Sequence, residues 1–294
     1  MNFQKAFIQK DVNMMNDTLG MTADVLRLDV IDEVISGNKW FKLKKYIENA
    51  RKLDKKSIVT FGGAFSNHIV ATAAACRLND LKCVGIIRGE ELLNLSHTLI
   101  KAKEEGMKLV FISREDYRDK KIPHEFLTDE HYLVNEGGYG LPGAEGIADM
   151  FREFDTMNYS DIFCAVGTGT MMAGLIKASL PDQQITGIPV LKNMPGIENE
   201  IKALLTPEER SKTFNLLDHY HFNGYAKYSG ELISFMNDFY DINKIPTDFV
   251  YTGKLFYGVS QFTNLKKFDG KRVLIIHSGG LQGNLSLPKG KLMF

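Results

Sequence analysis

Short runs rich in Val, Ile and Phe alternate along this chain with longer segments whose apolar residues recur at helical spacing. No other feature constrains the fold as strongly. Parallel strands need crossover helices, and strands covered on both faces read as unbroken apolar runs. The strands are predicted at Ser57–Phe61, Leu81–Ile87, Lys108–Ile112, His131–Val134, Ile162–Val166, Ile185–Val190 and Arg272–His277. Helices are predicted from near Ser66 to Cys76 and over Leu95–Glu105, Ala144–Asp155, Thr170–Leu180, Ser229–Asp241 and Gly253–Lys267. The reading is α/β, with parallel or mostly parallel sheets flanked by helices. A glycine-rich break at residues 137–146 marks a crossing between two lobes. The expected division is a small α/β domain, residues 55–137, inserted in a large domain made of residues 1–54 and 138–294.

Charge and cysteine usage remove several classes. Lys plus Arg equals Asp plus Glu at 36 each, and no basic stripe with interleaved aromatics occurs, so nucleic acid is not an expected partner. No segment is apolar enough to span a bilayer, so no membrane role is expected either. Cys76, Cys83 and Cys164 sit in apolar stretches without paired spacing, which suits a reducing, cytoplasmic location. The histidines show no ligand spacing, so no metal is expected.

Chemistry-bearing residues fall where strands give way to helices, the edge at which α/β sheets bind ligands. Ser36-Gly37-Asn38 delivers Lys39 into the first turn of an amphipathic helix. The positive end of the helix dipole disfavours a charged amine, making Lys39 a candidate Schiff-base lysine. Gly62-Gly63-Ala64-Phe65-Ser66-Asn67-His68 follows a strand. Ser66 suits an N-cap, and the N–H groups of Ser66, Asn67 and His68 suit a carboxylate. Gly167-Thr168-Gly169-Thr170 offers backbone and hydroxyl donors to one phosphate, yet matches neither a P-loop nor a dinucleotide fingerprint. An aldehyde-reactive lysine beside a phosphate cradle suggests pyridoxal 5′-phosphate. Tyr225 lies in a segment that precedes a helix, Tyr251 in one that runs extended and then turns helical, and His277-Ser278-Gly279-Gly280 ends the last strand. A tyrosine alone reads as packing, and His277 as either a satisfied strand-end histidine or a cofactor neighbour.

In this order the motifs resemble those of the 1-aminocyclopropane-1-carboxylate deaminase and D-cysteine desulfhydrase family, within the tryptophan synthase β-like class (PLP fold type II). The matching segments are Gly37–Leu43, Gly63–His68, Gly167–Thr170, Val250–Lys254 and His277–Gly280, spread over nearly the whole chain. The resemblance implies a two-domain PLP enzyme, a homodimer, acting on a small amino acid. It implies that Lys39 binds the cofactor covalently and that Lys42 helps neutralise its phosphate. Asn67 would bond the cofactor's phenolic oxygen, with Ser66, Asn67 and His68 at the substrate carboxylate. Tyr225 and Tyr251 would line the pocket as acid–base candidates with Ser66. Trp40-Phe41 departs from the family pattern, and Trp40 is either packing or part of the pocket.

Two positions separate reactions within the family, and both lie among the residues implied to contact the cofactor. Thr252 stands where the ring-opening deaminases have glutamate, and Ser278 where they have leucine. A carboxylate near the pyridine nitrogen makes a deeper electron sink than a hydroxyl. The expected reaction is therefore D-cysteine desulfhydrase-like α,β-elimination, giving keto acid, ammonia and sulfide. The alternatives are 1-aminocyclopropane-1-carboxylate deaminase activity and a PLP-binding protein without significant turnover. A nucleotide-binding α/β protein is disfavoured, because it leaves Lys39 unexplained.

Overall fold

The computed structural model describes residues 5–15, 22–32, 34–35, 37–91, 93–265 and 272–294. Ser36 and the end of the helix predicted at Gly253–Lys267 lie outside them. Two sheets organise the chain. The smaller holds β3 (Ser57–Gly62), β4 (Lys82–Arg88), β5 (Met107–Ile112) and β6 (His131–Val134) in the order β5-β4-β3-β6, all parallel. The larger contains β1 (Phe7–Asn13), β2 (Thr22–Arg27), β7 (Tyr159–Val166), β8 (Gln184–Pro189), β9 (Phe214–Leu216) and β10 (Arg272–His277). Its order is β1-β2-β10-β7-β8-β9, parallel except for the antiparallel edge strand β1.

These orders decide where a ligand can sit. In the small sheet the chain runs β3, β4, β5 to one side and then returns to place β6 on the other. In the large sheet it runs β7, β8, β9 one way and returns as β10 on the opposite flank of β7. Each reversal leaves a crevice at the carboxyl ends of the strands. The crevices fall at the loop after β3, which carries Ser66–His68, and the loop after β7, which carries Gly167–Thr170.

Helices fill the space around the sheets: α1 (Asn38–Lys52), α2 (Asn67–Arg77), α3 (His97–Glu104), α4 (Arg114–Arg118), α5 (Leu141–Arg152), α6 (Thr170–Ala178), α7 (Ile197–Ala203), α8 (Gly230–Asn243) and α9 (Thr252–Leu265). The buried face of α1 is shared between two apolar cores. Phe41 joins one built largely on α5, α6 and β7, while Leu43, Tyr46, Ile47 and Ala50 join the core around α2. Small residues let α1, α5 and α6 cross closely. A side chain at Gly146 would overlap the Phe41 carbonyl, and one at Gly174 would come within 2.6 Å of the Ala144 carbonyl oxygen. The three cysteines are buried and unbridged.

Candidate active site

The two crevices open into one cavity of about 990 Å³, lined by the ends of both sheets. From one side come Asn38, Lys39, Lys42, the 63–68 loop and Arg88; from the other, the 167–169 loop, Tyr225, Tyr251 and Ser278–Gly280.

Lys39 reaches this cavity because Gly37 lets α1 start against the end of β10. The Asn38 N–H donates to the Ser278 carbonyl at 3.1 Å, and Gly37 sits at φ 64°. A Cβ on Gly37 would overlap that same carbonyl, so this approach requires glycine. Buried Asn38 then ties two helix starts together. Its Oδ1 accepts from Lys39 Nζ at 3.1 Å, and its Nδ2 contacts Met171 Sδ of α6 at 3.0 Å. Burial lowers the Lys39 pKa to about 8, against the opposing pull of Asp248. The direction is the one expected from the sequence, but the cause is desolvation rather than the helix dipole.

One turn on, Lys42 is buried and makes no hydrogen bond or ion pair among the described residues. Desolvation first, and the Lys39 charge second, push its pKa well down. Its stem packs on Gly138, and the adjacent Gly137 leaves no room for a Cβ, which would lie 2.8 Å from Thr168 Cγ2. Lys42 and the Gly167–Gly169 turn are thus neighbours across two glycines. Gly169 caps α6 at φ 80°, and the Thr168 and Thr170 hydroxyls lie 3.1 Å apart. Thr170 is buried behind Thr168 and does not itself line the cavity. A buried amine whose charge only an anion would restore, beside a helix start rich in donors, is built for an anion.

On the facing wall, Ser66 is the N-cap residue of α2, as expected, but its hydroxyl makes no capping bond. It therefore remains available to the cavity that it lines. Asn67 Nδ2 donates to the Gly280 carbonyl at 3.3 Å, linking the small sheet's loop to the end of β10. His68 turns inward. The Thr60 hydroxyl donates to the Val134 carbonyl at 2.7 Å, so its oxygen accepts from His68 Nε2 at 2.8 Å. That fixes the Nε2–H tautomer and leaves the Nδ1 lone pair, which has no partner, as an acceptor. Burial, with Lys39 and Lys42 nearby, lowers the His68 pKa to about 3, so the ring is neutral.

The tyrosines meet edge to face, with ring centroids 6.1 Å apart. Tyr225 keeps 41% of its surface exposed, yet its hydroxyl end is covered, and burial raises its pKa. Burial raises the Tyr251 pKa well above the usual phenol value, with Tyr225 and Asp248 nearby adding to the shift. Lys39 Nζ lies 5.9 Å from the centre of the Tyr251 ring.

Tyr251 is held by a residue that the sequence reading missed. Asp248 is fully buried, and its Oδ2 accepts from the Val250 and Tyr251 N–H groups at 2.9 and 2.8 Å. Its Oδ1 accepts from the Thr252 N–H at 2.8 Å and the Thr252 hydroxyl at 2.7 Å. Residues 249–251 are consequently a turn, not the extended run expected. Thr252, expected at the cofactor, is fully buried against Asp248 and contributes nothing to the cavity lining. An aspartate four residues before a helical threonine is the capping signal that could have revealed this.

Two alternatives are settled by packing. His277 is fully buried, with Nε2 2.7 Å from the Pro246 carbonyl and Nδ1 3.3 Å from Asp29 Oδ1; it is a satisfied strand-end histidine. Trp40 packs against both cores that α1 joins and does not line the cavity.

Comparison with known proteins agrees with this geometry. The profile of a family described as pyridoxal-phosphate dependent enzyme matches residues 33–279. A Thermotoga maritima protein provisionally named 1-aminocyclopropane-1-carboxylate deaminase is 31% identical, over 92% of each chain. A mitochondrial Arabidopsis thaliana protein named bifunctional D-cysteine desulfhydrase/1-aminocyclopropane-1-carboxylate deaminase is 26% identical, over 88% of this chain and 72% of its own. The crystal structure of an ACC deaminase homologue superposes with a TM-score of 0.81 at 25% identity, covering 95% of this chain and 90% of that one. A hydrogen sulfide-producing enzyme from Fusobacterium nucleatum shares the fold, with a TM-score of 0.67 at 13% identity over 96% and 97% of the two chains.

Proposed function

The chain belongs to the pyridoxal-phosphate dependent enzyme family, and we propose that within it the reaction is α,β-elimination on a small amino acid, of the D-cysteine desulfhydrase type. The family's cofactor is pyridoxal 5′-phosphate, and the residues present fit it. Lys42 is a buried lysine with no carboxylate partner among the described residues, and the Gly167–Gly169 turn lines the cavity with donors. Lys39 would hold the cofactor covalently, Lys42 with Gly167, Thr168 and Gly169 its phosphate, Asn67 its phenolic oxygen, and Ser278 its ring nitrogen. When bound, the cofactor supplies an electron sink that acidifies the substrate Cα–H.

This chain's own residues do the rest. The 63–68 loop, with the Ser66 hydroxyl and the N–H groups opening α2, binds the substrate carboxylate. The Lys39 amine, neutral for much of the time near pH 8, takes the Cα proton at Nζ. The sulfur leaves Cβ with the bonding pair, and Tyr251 with Tyr225, both in the cavity lining, would deliver a proton to it. Water then converts the enamine released to keto acid and ammonia.

One observation carries elimination over ring opening. The cavity wall at residues 278–280 includes Ser278, while the carboxylate residues lining the cavity, Glu90 and Glu136, follow strands of the small sheet. Asp248, which lies close enough to influence Lys39, spends both oxygens on four donors. A weak sink suits loss of a thiolate better than opening a ring that has no α-hydrogen. The same reading divides the chain into a large unit, residues 1–54 and 138–294, and a small one, residues 55–137, and makes it a homodimer.

The test is the absorption spectrum of the protein with added PLP, for wild type and Lys39→Ala, before and after D-cysteine. A Lys39-dependent violet band followed by sulfide and keto acid is expected. The band without product from D-cysteine, but with keto acid from 1-aminocyclopropane-1-carboxylate, would replace elimination by ring opening.

A further inference from the structure

Lys254 is a fully buried lysine outside the cavity lining, and its ammonium pairs with no carboxylate among the described residues. Its three donors meet three carbonyls: Gly224 at 2.7 Å, His221 at 2.9 Å and Val190 at 3.4 Å. Burying a cation on neutral acceptors is costly, and an apolar side chain of equal length would fill the space more cheaply. Packing therefore does not account for a lysine here.

The identity of those carbonyls does. The His221 carbonyl also accepts from the Gly224 N–H at 2.9 Å, and the Gly224 carbonyl from the Lys227 N–H at 3.2 Å. They close two successive turns, 221–224 and 224–227, and Tyr225 sits at a corner of the second. Phe222, Asn223 and Ala226 all hold positive φ, at 50°, 66° and 52°. Asparagine tolerates that region; phenylalanine and alanine each resist it by about 1 kcal/mol. Such strain persists only where the surroundings over-determine it. Phe222 is held partly by its ring, 4.9 Å from that of Tyr257.

We propose that Lys254 is a positioning residue: by gripping the closing carbonyl of each turn it holds the loop so that the Tyr225 hydroxyl faces Tyr251 in the cavity. It stands in the first turn of α9, three residues after Tyr251, so one helix start sets both tyrosines. The catalytic consequence rests on the elimination reading; the mechanical one does not.

Amide hydrogen exchange on the PLP-loaded protein separates them. In the wild type, the Gly224 and Lys227 amides are expected to exchange at least about tenfold more slowly than open-loop amides. In Lys254→Met they lose that protection, while β10 amides keep theirs. If elimination is the reaction, kcat falls about 10- to 100-fold, and Tyr225→Phe added to Lys254→Met lowers it little further. Free-loop exchange at Gly224 and Lys227 in the wild type, or unchanged protection in Lys254→Met, would overturn the proposal. Should Lys254→Met fail to fold, the wild-type rates decide alone. Protection as expected, with no keto acid from any amino acid, would sink the elimination reading and leave the loop assignment standing.

Discussion

Lys39 shows the conflict between stability and reactivity in a single side chain. Its ammonium is held in a desolvated site with a pKa of about 8 rather than 10.5. Below pH 8 both folded and unfolded chains carry the proton, and the folded one bears the cost of burying it. Between about pH 8 and 10.5 the unfolded chain still holds a proton that the folded chain has released, so stability rises with pH across that window. Lys39→Met should therefore stabilise the cofactor-free protein at pH 7, by about 2 kcal/mol once partial exposure of the stem is allowed for. The gain should fade towards pH 10.5. Urea denaturation at the two pH values measures it, and a gain independent of pH would contradict the assignment. The same substitution would remove the proposed point of cofactor attachment, a role that would account for a destabilising lysine at this position.

At the scale of elements, the start of α9 shows how one capping residue organises a wall of the site. Asp248→Ala would orphan the N–H groups of Val250, Tyr251 and Thr252 together with the Thr252 hydroxyl. A loss of about 3 kcal/mol in denaturant unfolding is expected, with Tyr251 released from the cavity wall. A loss under about 1 kcal/mol would mean that water or neighbouring groups replace the cap. This element also marks a limit of sequence reading. The motif Val250–Lys254 is recognisable in the sequence, but the role of Lys254 depends on carbonyls 30, 33 and 64 residues away along the chain. Parallel strands such as β3, with every residue buried, announce themselves as apolar runs. Edge strand β1 does not, because most of its residues are partly or fully exposed and their pattern is mixed. The short, charged α7 escapes for the same reason. Lys39, the 63–68 loop and the 167–170 turn were legible because a strand-to-helix junction confines their chemistry to a few consecutive residues. Thr252 turns away from the cavity because Asp248, only four residues earlier, takes both its N–H and its hydroxyl, a local capping signal that a comparison of threonine with glutamate at that one position passes over.

For the whole molecule, the decisive question is whether two sheets with separate cores unfold as one. Helix α1 argues that they do. Phe41 belongs to the core around α5, α6 and β7; Leu43, Tyr46, Ile47 and Ala50 belong to the core around α2; and Trp40 packs on both. A helix whose residues alternate between two cores cannot detach from one without disturbing the other, so each core stabilises its neighbour through α1. Trp40 is also the chain's single tryptophan, so its fluorescence reports the junction alone. In the wild type, denaturation followed by Trp40 fluorescence and by far-UV circular dichroism should give coincident transitions. Trp40→Ala removes the side chain that touches both cores and should cost about 3 kcal/mol. Because that cost falls on the coupling as well as on local packing, calorimetry of Trp40→Ala should show a van't Hoff enthalpy below the calorimetric one, as the sheets begin to melt separately. Equal enthalpies in the mutant, with a simple drop in Tm, would mean that Phe41 and the close α1–α5 crossing at Gly146 suffice to join the two halves.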